Sequence, residues 1–418
     1  MTNSETEVAI IGGGAAGIAA GRRLRQAGVD CLVIEARPRL GGRAWTVSDA
    51  SGFALDLGCG WLHSADRNPW VAMAEAQGCT IDKTPPPWMR PSLPIGFSLA
   101  EQRDFGNAMK RFYERVEVAA AKEPDATAAS VLEPDGRWNN LIIAVGTYIS
   151  GAELTRVSIR DFANYDDNGV NWRVVEGYGA TIAASGEELA VALDCPVRRI
   201  DHSGRRLKIE TAKGAITADQ AIVTLPSAVL ADSERLFAPA LPEKTLAARG
   251  LPLGLADKLF LSLERAEEFD NDTRLFGATD RTAVAAYHLR PFGRPQIEVY
   301  FGGSHAEALE AEGERAFFDF AVSELTALLG GAFARRVKPT HMHRWGADPF
   351  ARGSYSYALP GMADYRARLA AAVDGRLFFA GEACSRGDFS TAQGAWITGV
   401  AAADQAIALR QCKPTVVS

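Results

Sequence analysis

The stretch Val8–Glu35, VAIIGGGAAGIAAGRRLRQAGVDCLVIE, leaves few choices for how this chain can begin to fold. Val8-Ala9-Ile10-Ile11 has the length and β-branched character of a buried parallel strand. Gly12, Gly14 and Gly17 then form G-x-G-x-x-G, with Ala15 and Ala16 inside the motif. An Ala-rich helix follows through Leu24, Gly28 closes it, and Cys31–Ile34 reads as the next strand, ending on Glu35. Gly12 permits a tight turn, Gly14 lets the backbone approach a pyrophosphate, and Gly17 lets the helix lie close on the strand. The helix N-terminus offers free N–H groups and the positive end of its dipole to phosphate. Glu35, eighteen residues past Gly17, falls where a carboxylate accepts hydrogen bonds from a ribose hydroxyl pair. A carboxylate there suits NAD or FAD rather than NADP, and the motif does not choose between the first two.

At 418 residues the chain has room for two or three domains of ~150 residues. A net charge of −6 argues against a nucleic-acid surface. No run approaches the ~20 apolar residues of a membrane span, and the polar, acidic start MTNSETE is not a signal peptide. The tail after Arg410 has no lipidation pattern. Six scattered cysteines without C-x-x-C read as reduced thiols, so a cytoplasmic location is expected.

Leu40-Gly41-Gly42-Arg43 suits a backbone passing close to a phosphate with a guanidinium in reach. Phe53–His63 is a strand running into a glycine-rich corner at Gly58 and Gly60. His63 lies on the connection to a helix capped by Asn68-Pro69 and ending near Gln77. The prolines between Pro85 and Pro94 mark the start of a second domain. A capping box at Ser98 and Glu101 opens a helix to about Lys122, with further helices near 139–149 and 181–193 and an Asp-rich loop at Tyr165–Asn168. Phe105, Phe112 and Tyr113 are expected to fill a core rather than touch a ligand. Strands follow at 197–200, 207–210 and 220–225, the last apolar and stopped by Pro226, so the chain returns to the nucleotide domain. Ala256–Leu263 is a strand with Lys258, Phe260 and Ser262 on one face. A buried lysine is costly without a partner, and the alternative is an edge strand with Lys258 in water. Tyr287, Ile297, Val299 and Phe301 suggest more strands, and Ser304 with Glu307 a capping box for a helix to about Leu329. His341 and His343 share a strand face and lack a third ligand, so no metal is expected. Residues 344–357 are aromatic-rich without a period and need something to pack against. Arg376–Glu382 is a buried strand ending on Gly381-Glu382, and Ser390–Trp396 opens a last helix whose N-terminus can face a phosphate or flavin ring.

Seven segments in order, GGGAAG with Glu35, LGGRAWT, LDLGCGWLH, AIVTLP, DKLFLSL, RWGADPFARGSYSY and LFFAGEACSRGDFSTAQGAW, resemble the motifs of flavin-dependent amine oxidases. That family shares one fold among monoamine oxidases, polyamine oxidases and histone lysine demethylases. The resemblance implies an α/β chain: a Rossmann-type FAD-binding domain (1–80, 195–255 and 340–418) interleaved with an α+β substrate domain (81–194 and 256–339). It assigns Gly12, Gly14, Ala15, Ala16, Gly17, Glu35, Ala36, Gly42 and Arg43 to the adenosine–pyrophosphate end of FAD. Val197 meets the adenine through its backbone, Glu382 the ribitol or pyrophosphate region, and Gly60, Trp61, Gly381 and Thr391 complete the cofactor set. Lys258 matches a lysine that reaches flavin N5 through a water, and Trp345 the tryptophan beside the ring. Tyr357, ahead of Tyr355, matches an aromatic wall of the substrate cage, and His63 lies near the substrate amine as in polyamine oxidases. Gly353-Ser354 stands where monoamine oxidases carry their flavin-linked cysteine, implying non-covalent FAD. Thr391 replaces the second cage tyrosine, and the demethylases' chromatin-binding domain and helical insertion are missing, which argues against a histone.

The implied reaction oxidises the α C–H of an amine, a polyamine or other aminoalkyl compound, to an imine by hydride transfer to flavin N5. The imine is hydrolysed to an aldehyde or ketone, and O2 reoxidises the flavin to give H2O2. The expected partners are a small-molecule amine and O2, with no nucleic acid and no membrane, in a monomer or homodimer. An L-amino-acid oxidase would need an arginine for the carboxylate, for which Arg173, Arg290 and Arg352 are the candidates. A flavin desaturase or protoporphyrinogen-oxidase-like enzyme would need an apolar docking surface that the sequence does not show. A flavoprotein scaffold without activity would leave Lys258 without purpose.

Overall fold

The computed structural model describes residues 4–411, so Cys412 and the tail lie outside the described residues. The strand Ser4–Ile11 pairs in parallel with Cys31–Ile34 on one side and Gly214–Val223 on the other. Its alternating side chains feed two cores. Val8 and Ile10 face the cluster that holds the helices Ala15–Gln26 and Ala392–Gln411, and Ala9 and Ile11 face the cluster on the opposite side. Burial on both faces is why the strand reads as an unbroken apolar run. The sheet has eight strands, in the order Phe237–Ala238, Val197–Asp201, Leu207–Thr211, Gly214–Val223, Ser4–Ile11, Cys31–Ile34, Val191–Ala192, with Leu377–Phe379 also on Gly214–Val223. The expected return of the chain to this sheet is therefore made twice, over residues 191–238 and again at Leu377–Phe379.

A second, antiparallel sheet of five strands runs Thr273–Phe276, Ala286–Leu289, Gln296–Gly302, Ala256–Leu263, Val337–Met342. Ala256–Leu263 has a neighbour on both sides, so Lys258 is not an edge lysine. The helices Leu99–Ala120 and Asn139–Ser150 form a third core around Phe97, Phe112, Trp138 and Leu141. The Ser98–Glu101 capping box and the Asn68 cap are both formed.

Two elements differ from expectation. The helix expected over 181–193 spans Tyr178–Ala184, and Val191–Ala192 instead extends the eight-stranded sheet beside Val33 and Ile34. An open sheet edge outweighs a weak helical pattern there. The helix expected from Ser304 starts at Gly303 without a capping box, because Glu153 takes the Ser304 N–H at 2.7 Å. Gly313, at φ +101°, then divides it into Gly303–Glu312 and Glu314–Leu329. Among the described residues no helix is long and apolar enough to cross a membrane, and Cys31, Cys59, Cys79, Cys195 and Cys384 are unpaired.

The dinucleotide turn depends on one close approach. A Cβ at Gly17 would stand 1.9 Å from the Gly12 carbonyl oxygen, so no side chain fits without moving the turn. Gly17→Ala should cost at least about 1–3 kcal/mol of stability and lower FAD occupancy. Thermal unfolding and the flavin-to-protein absorbance ratio check this, and a variant with full flavin and unchanged Tm would contradict it.

Candidate active site

One cavity of about 1340 Å³ runs from the dinucleotide turn to the five-stranded sheet. It exceeds the range of about 300–1,000 Å³ usual for ligand pockets, as an extended dinucleotide with room for a substrate requires. Gly12, Gly14, Ala15, Ala16, Glu35, Ala36, Gly42, Arg43, Gly60, Trp61, Val197, Gly381, Glu382 and Thr391 all line it. Gly17 does not, since it is spent on the contact with Gly12. Glu35 is buried and accepts the Gly13 N–H at 2.6 Å and the Arg37 N–H at 2.8 Å, which holds the turn around it. At Gly14 the nearest atom to an added Cβ is 3.9 Å away, so this face of the turn is open.

Glu382 is buried, and both its oxygens are engaged. Oε1 takes Arg43 Nη1 at 2.8 Å, and Oε2 takes the Ser356 hydroxyl at 2.6 Å and the Ser390 N–H at 3.1 Å. Burial alone would raise its pKa, but Arg43 and Ser356 outweigh it and hold the carboxyl below its usual range. Thr391 Oγ1 accepts the Gly394 N–H at 3.0 Å and so caps the helix Ala392–Gln411, whose first residues face the cavity. An open glycine turn, two helix N-termini and a half-buried Arg43 fit a bound dinucleotide.

At the far end Lys258 is buried, with Nζ 3.0 Å from Glu298 Oε1 and donating to the Asp56 carbonyl at 3.1 Å. Burial pulls the ammonium down, but Glu298 and Asp56 outweigh that and hold it above its ordinary range. Burial pushes Glu298 up, and Lys258 and then His288 bring it below. Lys258 is therefore a fixed cation and a donor. Trp345 is buried, with its indole N–H on the Leu57 carbonyl at 3.0 Å. His63 Nδ1 lies 2.8 Å from Asn171 Oδ1 and 3.2 Å from Asp167 Oδ2, which assigns the proton to Nδ1 and leaves Nε2 without a partner among the described residues.

The cage differs from expectation. Tyr355 lines the cavity, and Tyr357 does not: it is buried in the core around Phe112 and Trp138. The strand Tyr355–Ser356 is only two residues long, so the alternation that would put both rings on one face stops before Tyr357. Tyr355 donates to the Tyr148 carbonyl at 2.5 Å and lies 3.1 Å from the Tyr300 hydroxyl, and the Tyr148 and Tyr300 rings meet edge-on at 5.7 Å. Phe105 and Tyr113 also line the cavity rather than only filling a core. Glu298 and Tyr300 carried a readable signal: they alternate with Ile297, Val299 and Phe301 in the strand Gln296–Gly302. Of the arginines considered for a substrate carboxylate, Arg173 is held by Asp82 and Asp272 and Arg290 by backbone carbonyls, while Arg352 lines the cavity but pairs with Asp232 at 2.7 Å.

The sequence pattern of the family "flavin containing amine oxidoreductase" matches residues 91–407, and that of an NAD(P)-binding Rossmann-like domain matches residues 10–76. The chain belongs to the flavin containing amine oxidoreductase family. It is therefore an FAD-dependent amine oxidase with a Rossmann-like dinucleotide-binding fold joined to mixed α/β structure. It is 27% identical to polyamine oxidase 2 of Arabidopsis thaliana, over 97% of this chain and 88% of that one. It is 25% identical to lysine-specific histone demethylase 2 of Homo sapiens over 94% of this chain but 52% of that one. A putrescine oxidase solved with putrescine bound superposes with a TM-score of 0.79 over 97% of this chain and all of that one. At 18% identity, this last likeness speaks for the fold alone.

Removing the partner of Lys258 in this amine oxidase should be costly. Glu298→Gln leaves a buried ammonium facing a neutral amide and should lose about 3–5 kcal/mol. Glu298 is depressed, so its contribution is complete above about pH 4.3 and fades as pH falls through its folded value; Lys258 is raised, so its contribution is complete below about pH 10.4 and fades above. Denaturant titrations should thus show a deficit that is flat between about pH 5 and 10 and shrinks on either side. A deficit that varies across that window would refute the pairing.

Proposed function

We propose that this enzyme oxidises an extended aminoalkyl amine at the Lys258 end of the cavity, to an imine that water converts to an aldehyde or ketone. The supporting observation is the continuity of one cavity from the glycine turn to a lysine–glutamate pair ringed by Tyr148, Tyr300, Tyr355 and Trp345. When bound, FAD accepts the two electrons of the oxidation. An amine gives up its α-hydrogen only as the neutral base, so the site must remove a proton from the ammonium that arrives in water. His63 is suited to take it at Nε2, because Asp167 and Asn171 hold the other ring nitrogen as a donor. The aromatic wall then favours the uncharged amine by desolvation, and Tyr355 and Tyr300 offer ring faces to the incoming cation. Lys258, kept charged, serves as a hydrogen-bond donor to a water at the reacting edge rather than as a base. The polyamine oxidase relatives support a long, flexible substrate.

The same reading takes O2 as the electron acceptor, giving H2O2, and FAD held without a covalent bond. Cys59 is the cysteine on the described cavity wall, and burial pushes its thiol up to about 12, which leaves it a poor nucleophile. The segments 1–80, 195–255 and 340–418 serve as the cofactor domain and 81–194 with 256–339 as the substrate domain, in a cytoplasmic monomer or homodimer. Acid precipitation should release the flavin into the supernatant.

Anaerobic titration with mono-, di- and polyamines and amino acids should bleach the flavin with at least one extended amine, and admitting air should restore the colour with H2O2 formed. Failure of every amine to bleach it would overturn the function. Lys258→Met should retain FAD but slow reduction or reoxidation on the order of 10²-fold; unchanged stopped-flow rates in both half-reactions would remove Lys258 from catalysis.

A further inference from the structure

The five-stranded sheet meets the cavity with two rows of side chains in cross-strand register. One row runs Phe276, Ala286, Tyr300, Lys258, and the next Arg274, His288, Glu298, Phe260. Most charges in these rows are matched. Lys258 pairs with Glu298, and His288 Nε2 lies 2.9 Å from Asp272, which also holds Arg173. Arg274 is the exception. It lines the cavity, yet among the described residues its guanidinium makes no hydrogen bond and no ion pair. Its contact is with Phe276, 4.0 Å from guanidinium carbon to ring centroid. Burial pulls Arg274 down to about 10, and Tyr148 only partly offsets this.

A guanidinium kept in a largely apolar cavity without a counter-ion is costly, and its planar fork of donors fits a carboxylate. The other charged groups of the wall offer it nothing: Glu382 is taken by Arg43, Asp167 by His63 and Asp232 by Arg352, and Glu117 is exposed. We propose that Arg274 is an anion subsite, and that the amine oxidised here carries a carboxylate at the end remote from its reacting nitrogen. The inference rests on the function proposed above and narrows its substrate class. The strand of Arg274 lies three strand spacings from that of Lys258, roughly 14 Å. An α-amino acid, with one carbon between nitrogen and carboxylate, cannot reach both ends. A chain of several methylenes can, lying along Phe276 and Tyr300. A polyamine would bring a second ammonium to Arg274, and like charges repel.

The test compares 6-aminohexanoate with 1,6-diaminohexane as reductants of the holoenzyme flavin, and titrates hexanoate against the flavin spectrum as a ligand that cannot be oxidised. The aminocarboxylate should be preferred by roughly 10- to 100-fold in kcat/KM, and hexanoate should perturb the spectrum. Arg274→Gln, with normal FAD content, should abolish both effects, and Arg274→Lys should restore part of each. Preference for the diamine, or equal hexanoate affinity in wild type and Arg274→Gln, would overturn the subsite. If no amine reduces the flavin, the proposed function fails instead, and hexanoate alone decides: binding lost in Arg274→Gln supports the subsite, and binding retained rejects it.

Discussion

The Lys258 ammonium is held by two segments that are far apart in sequence, and much of the site's geometry follows from that. Glu298 reaches it across the antiparallel sheet, and the Asp56 carbonyl reaches it from the glycine-rich corner that follows the dinucleotide motif. The Asp56 carboxylate, whose charge also favours the Lys258 ammonium, accepts the Tyr178 and Gly179 N–H groups at 3.0 Å each, so it also starts the helix Tyr178–Ala184. Burial pushes that carboxyl up, and Thr46, Gly179, Lys258 and Tyr178 oppose the rise. One aspartate thus joins the corner, the helix and the five-stranded sheet. Gly60 completes the arrangement, since a Cβ there would stand 3.0 Å from Lys258 Nζ.

The aperiodic segment from Arg344 to Phe350 is positioned by carboxylates rather than by a ladder. Asp257, next to Lys258 and fully buried, accepts the Trp345 N–H at 3.2 Å; burial and then Glu310 hold its pKa well above the usual carboxyl range. Glu310 takes the Gly346 and Ala347 N–H groups at 2.9 Å each. Asp348 takes the Phe350 and Ala351 N–H groups and pairs with Arg37, just beyond Glu35. The loop that carries Trp345 is therefore tied to the five-stranded sheet at one end and to the glycine-rich turn at the other.

What could be read from the sequence follows from how local each signal is. The glycine turn, Glu35, the Asn68 cap and the Ser98 capping box are set by neighbours a few residues away, and the structure forms all of them. Gly17 makes the close helix–strand contact that the motif implies and does not line the cavity, so its part in cofactor binding is to shape the turn. Tyr357 leaves the face of Tyr355 because period-two alternation holds only while the ladder continues, and that strand ends at Ser356. Glu298, Asp167 and Arg274 were missed because their meaning depends on what lies across a sheet or a loop. The strand Gln296–Gly302 reads as apolar alternation, and only its register with Ala256–Leu263 turns Glu298 into the partner of Lys258.

The second buried network suggests why the cavity stays open at the cofactor end. Arg366 is 1% exposed and forms a two-pronged pair with Asp161, through Nε at 2.7 Å and Nη2 at 2.9 Å, while donating to the Ser356 hydroxyl at 2.9 Å. Ser356 in turn donates its hydroxyl hydrogen bond to Glu382 at 2.6 Å, and Glu382 holds Arg43. Charges therefore alternate in sign from Asp161 to Arg43, and each is compensated before any ligand binds. Removing one member would strand the next as a buried, unpaired charge, which costs more than the pair contributes. Arg43 reaches the cavity already aligned, with its charge partly answered by Glu382. Arg274, at the opposite end, has no such answering carboxylate. One cavity thus carries a compensated arginine beside the glycine turn and an uncompensated one on the five-stranded sheet.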